Sequence, residues 1–119
     1  MIDTFELFGV ATSAYQIEGN VSGKPESVWD RFTHTNKLES GDVACDEVNR
    51  YDETIEYLKD LGVNTYRFSM SWTRCYTEEG IKYYHDLINK LQENKIEPMV
   101  TIYHWDHPQS LEDKGGWVE

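Results

Sequence analysis

A chain of 119 residues, 39% hydrophobic and 28% charged, is long enough for one globular domain or a piece of a larger one, and too apolar to be disordered. A net charge of −11 and a pI near 4.7 argue against nucleic acid and anionic membrane surfaces as partners, and the apolar runs are far too short to span a bilayer.

No basic start followed by an apolar segment opens the chain. No secretory signal is therefore expected, and a cytoplasmic location follows if Met1 is the true start. Cys45 and Cys75 fit neither a metal spacing nor a disulfide framework, so buried free thiols are expected. Asn20-Val21-Ser22 is a glycosylation sequon that matters only in a secreted protein.

The apolar run from Phe5 to Ala11 reads as a buried strand. A long polar connection from Asn20 to Gly41 follows, with Trp29 and Phe32 as its expected anchors. The spacing of Val48, Tyr51, Ile55 and Leu58 predicts a helix from about Cys45 to Leu61, ended by Gly62 in a left-handed cap. "VNTYRFSM" is rich in β-branched and aromatic residues and reads as a second strand. A second helix begins near Thr77, with Ile81, Tyr84, Ile88 and Leu91 as its apolar stripe and Asn94 and Lys95 closing it. "IEPMVTIYHW" is the third strand, with Pro98 near its start.

The order β, α, β, α, β, with crossover-length connections, implies parallel strands in an α/β fold covered on both faces. Either an open doubly wound sheet or part of a (β/α)8 barrel fits, and both gather ligands at the carboxyl ends of the strands. No G-x-G-x-x-G follows the first strand and no phosphate loop is present, which argues against a nucleotide site.

Those strand ends place Gln16, Arg67, Trp72, His104 and Trp105 on one rim. An amide, an imidazole and flat indoles suit a sugar, whose hydroxyls need paired donors and acceptors and whose CH face packs on aromatic rings. Each residue alone is more simply read as ordinary core or surface; their convergence favours the sugar. His104, Asp106 and His107 offer two zinc ligands at most, with no third in evident reach, so no metal and no other cofactor is expected.

"FELFGVATSAYQIEG", "SVWDRFTHT", "GDVACDEVNRYDE", "LGVNTYRFSMSWTR" and "IEPMVTIYHWDHPQSLEDKGGW", in this order, resemble the amino-terminal part of glycoside hydrolase family 1. These are β-glucosidase-like retaining enzymes on a (β/α)8 barrel. The resemblance covers nearly the whole chain. It implies that residues 1–119 form a partial barrel domain, strands one to three with their loops. It also implies that Gln16, His104 and Trp105 belong to the glycone subsite, and that Arg67 lies beneath the nucleophilic carboxylate and keeps it ionised.

The departures are specific. Glu6 stands for the usual phenylalanine, Asn20 for a small residue and His107 for the usual leucine before Pro108. Between Arg74 and Gly80 only "CYTEE" remains, shorter than the family's loop by roughly ten residues. Neither the Asn-Glu-Pro motif of the acid/base nor the late nucleophile glutamate is among these residues. Retaining hydrolysis needs two carboxyl groups about 5–5.5 Å apart, and the family gives that role to none of Glu18, Asp106 and Glu112. The expectation is part of a retaining β-glycosidase acting on a β-glycoside or glucose-like sugar, inactive as these 119 residues alone. The alternative is an inactive sugar-binding or regulatory remnant. Open sheet edges would favour self-association.

Overall fold

The computed structural model describes residues 6–118. Three strands, β1 (Gly9–Ala11), β2 (Thr65–Ser69) and β3 (Glu97–Thr101), form one parallel sheet in the order β1-β2-β3. Between them lie α1 (Ala14–Ile17), α2 (Val28–Asn36), α3 (Glu47–Leu61) and α4 (Glu78–Glu93), and α5 (Gln109–Glu112) follows β3. Successive strands are neighbours throughout, with no reversal of order. That is how a (β/α)8 barrel begins, and the sheet is the open first portion of one. No helix among the described residues is long and apolar enough to cross a membrane.

α3 and α4 form where the sequence predicts them. Gly62 caps α3 at φ 68°, a conformation a side chain would strain, and the Thr77 hydroxyl caps α4 by accepting from Gly80 N–H at 3.0 Å. Ile55 and Leu58 of α3 and Tyr83, Tyr84, Leu87 and Leu91 of α4 pack on Tyr66 and Phe68 of β2, with Val63 and Ile96 closing the core. The α4 stripe is rotated from the expected one. Its first-turn member is Gly80, packed so closely on the Arg74 carbonyl that no Cβ would fit, and Ile81 is left about half exposed.

Three further expectations are corrected. The Asn20–Gly41 connection is not irregular, because α2 occupies its middle. Ser27 and Asp30 form a capping box: Ser27 Oγ accepts from Asp30 N–H at 3.1 Å, and Asp30 accepts from Ser27 N–H at 2.8 Å. Trp29 and Phe32 meet edge to face at 5.7 Å, though Phe32 is exposed and anchors little. β1 is not buried; Leu7, Phe8 and Val10 are all exposed, because a three-residue edge strand has a neighbour on one side only. Phe5 lies outside the described residues. Cys45 is exposed and Cys75 partly so, because Cys45 sits in an irregular turn before α3 rather than on its packed face.

The sheet is covered on one face. Tyr66 and Phe68 point into the helical layer, so Arg67, between them, points the other way. Its register partners are Ala11 on β1 and Met99 on β3, and both Arg67 and Met99 are exposed on that open face.

Candidate functional site at the carboxyl ends of the strands

Because the strands are parallel, the segments after β1, β2 and β3 leave the sheet at the same end. Gln16 sits on α1, two residues past Ala14, whose N–H donates to the Ser69 hydroxyl at 2.7 Å. Gln16 is exposed, and its Oε1 accepts from Ser13 Oγ at 2.5 Å. After β3 the chain turns sharply. His104 and Trp105 are both exposed, their rings 6.3 Å apart, and Trp105 adopts φ 66°. A left-handed conformation costs a non-glycine residue about 1 kcal/mol or more, so this turn is held by its surroundings.

Backbone bonds from the β1 side supply that hold. Val28 N–H donates to the His107 carbonyl at 3.1 Å and Gln109 N–H to that of Glu26 at 2.9 Å, across an antiparallel bridge between Ser27 and Pro108. The loop bearing His104 and Trp105 is thus fastened to the entry of α2.

Trp72 stands apart from this group. Its indole Nε1–H donates to the Ile102 carbonyl at 2.6 Å, and its ring packs on Tyr103 and Trp117 at 5.5 and 5.7 Å. It is part of an aromatic cluster. In the same cluster Trp117 Nε1–H donates to Tyr103 Oη at 3.2 Å. The buried ring of His107 then bridges Tyr103 at 3.2 Å and the Glu112 carboxylate at 2.8 Å. Where the family's usual leucine would only pack, this histidine joins the β3 loop to α5.

Behind the rim is a buried charge cluster that the sequence did not announce. Arg74 Nε–H donates to Glu18 Oε2 at 2.7 Å and its Nη2 to the Gly19 carbonyl at 2.7 Å, while the Tyr84 hydroxyl donates to Glu18 Oε1. Burial pushes the Glu18 carboxyl above its ordinary value despite Arg74. Lys24 pairs with Asp30; burial opposes the anion there, but the Lys24 and Ser27 bonds hold Asp30 below its ordinary range. Asp106 is 2% exposed, and neither of its oxygens has a hydrogen-bond partner among the described residues. Burial, reinforced by the Glu18 charge, pushes it up to about 6; the Ser71 hydroxyl lies near enough to favour the anion slightly without bonding it. Glu18 and Arg74 are 56 residues apart, and no local spacing links them. The capping box was legible as Ser-x-x-Asp.

Residues 3–119 match Glycosyl hydrolase family 1. Beta-glucosidase A of Acetivibrio thermocellus is 51% identical over 124 aligned positions, which take in 93% of this chain and 28% of that protein. Myrosinase 1 of Brevicoryne brassicae is 46% identical, with 94% and 27% covered. Among solved structures, the GH1 β-glucosidase of Exiguobacterium antarcticum superposes with a TM-score of 0.90 at 45% identity, covering 95% of this chain and 28% of that one. The family 1 β-glucosidase of Thermotoga maritima gives 0.89 and 45%, with the same coverage. The chain therefore spans little more than a quarter of the relatives it matches. The first alignment is longer than the chain, so that relative carries on the order of ten more residues within the matched region. The structure closes the Arg74–Gly80 connection with a single 3-10 turn at Arg74–Tyr76. The chain belongs to glycosyl hydrolase family 1.

Proposed function

We propose that this chain is the amino-terminal domain portion, residues 1–119, of a retaining β-glycosidase and contributes part of its glycone subsite. Gln16 and His104 would hydrogen-bond sugar hydroxyls and Trp105 would present its indole to the ring. Arg67, on the open face of β2, would lie under the nucleophilic carboxylate and keep it ionised. The observation that carries this reading is the shared position of Gln16, His104 and Trp105, exposed beyond the carboxyl ends of parallel strands in a family 1 fold. The substrate class is a β-glycoside with a glucose-like sugar.

Among the described residues, the acids near the rim are buried or already engaged. Glu18 is buried and engaged by Arg74 and Tyr84, Asp106 is buried, and Glu112 is tied to His107. The two catalytic glutamates would come from later in a longer chain. The test is kinetic, in a chain extended through both glutamates. Gln16→Ala and His104→Ala should each lower kcat/KM by a factor of about 100 or more, because they remove bonds that tighten in the transition state. Near-unchanged kinetics in both variants would place the glycone site elsewhere.

A further inference from the structure

Among the described residues, the buried side-chain oxygens without a partner are Glu47 Oε1 and both oxygens of Asp106. Folded proteins rarely leave such atoms unpaired without a reason. Asp106 faces a small, partly open space of about one water molecule, lined also by Tyr15, Glu18, Lys24, Ser71 and Arg74. Every element packed there brings a titratable or charged group. Glu18 comes from the end of α1 and Lys24, with its partner Asp30, from the entry of α2. Arg74 and Cys75 come from the turn after β2, and Tyr84 from α4 reaches Glu18. His107, on the same loop as Asp106, is turned toward Tyr103 and Glu112. The left-handed backbone of Trp105 lies immediately before Asp106, so strain and an unpaired acid fall on consecutive residues.

We propose that Asp106 is a positioning residue that registers the His104–Trp105 turn against the Glu18–Arg74 pair, so that both halves of the rim are set by one buried charge cluster. Its geometry stands by itself; only its purpose rests on the sugar reading. Glu18 follows Gln16 by two residues and Asp106 follows His104 by two, and both acids wall the same space. The Glu26–Val28 backbone bonds clamp the turn from outside, and Asp106 is its contact with the interior. A neutral Asp106 can donate its proton into this space, to a water there or toward Glu18. An ionised one sets a second negative charge beside Glu18 with no donor bonded to it. The turn is therefore held closely in the protonated state and loosened in the ionised one.

The test is backbone hydrogen exchange over residues 104–109 of the 119-residue chain between pH 5 and 7.5, expressed as protection so that the intrinsic pH effect cancels. Wild-type protection should fall severalfold as pH rises through about 6. Asp106→Asn should lose most of the step, keeping only what Glu18 contributes, and Asp106→Glu should keep a full one. A step of equal size in Asp106→Asn, or none in the wild type, overturns the proposal. Where neither variant folds, a wild-type profile without a step still overturns the proposal. A parallel titration with glucose, read from the Gln16 amide and His104 ring signals, tests the sugar reading separately. Silence there with the exchange step intact would fault that reading alone.

Discussion

Arg74 and Glu18 form an ion pair almost sealed from solvent, their side chains 2% and 6% exposed. The pair ties the turn after β2 to the end of α1, and Tyr84 completes it by donating to Glu18 and accepting from Ser71 N–H at 2.7 Å. Such a pair adds little over well-packed apolar residues, yet breaking it from one side strands a buried charge.

Arg74→Met should therefore lower the unfolding free energy by about 3–5 kcal/mol at neutral pH. Glu18→Gln with Arg74→Met should recover part of that loss. Urea melts of the three proteins are the check. A single-variant loss below about 1 kcal/mol would show that the pair does not hold these segments together.

The pH dependence of stability should carry the mark of Asp106. Its carboxyl is raised in the folded state, so the unfolded chain ionises first. Stability then falls as pH climbs from about 3.9, the unfolded value, through about 6. The gap corresponds to about 3 kcal/mol. Glu18 is shifted in the same direction, so the wild type should weaken over this window for two reasons. Asp106→Asn removes one of them and should gain on the wild type between pH 4 and 7. Equilibrium melts at the two pH values measure the difference, and an unchanged difference would mean that Asp106 ionises freely.

The 119-residue chain alone should release no chromophore from an aryl β-glucoside above background. Among the described residues, its carboxyl groups near the rim are buried or already bonded. Hydrolysis that disappears in Glu18→Ala or Asp106→Ala would reverse this.

Self-association should follow from the sheet edges. β1 and β3 each have one unpaired side, and Leu7, Phe8, Val10, Met99 and Ile102 are exposed on or beside them. Sedimentation should find oligomers, or a monomer that melts broadly and sharpens when the rest of a family barrel is supplied. A monodisperse monomer with one sharp transition would favour an autonomous sugar-binding domain.

The sequence by itself determined the elements whose signals are local. Val48, Tyr51, Ile55 and Leu58 mark α3 by period, Gly62 and Thr77 mark caps by conformation and chemistry, and the β-branched and aromatic residues of "VNTYRFSM" mark β2. The five quoted blocks were enough for the family, because side chains at strand ends are written contiguously with their strands. Tertiary structure alone decided what depends on distance across the chain. Nothing near Glu18 points to Arg74, and nothing near Asp106 says that its oxygens will be sealed without a donor. It also decided that β1 stays exposed: an apolar run says only that a segment can be buried, and neighbours decide whether it is. Periodicity reports one element's face, whereas ion pairing and burial belong to the packing of several elements at once.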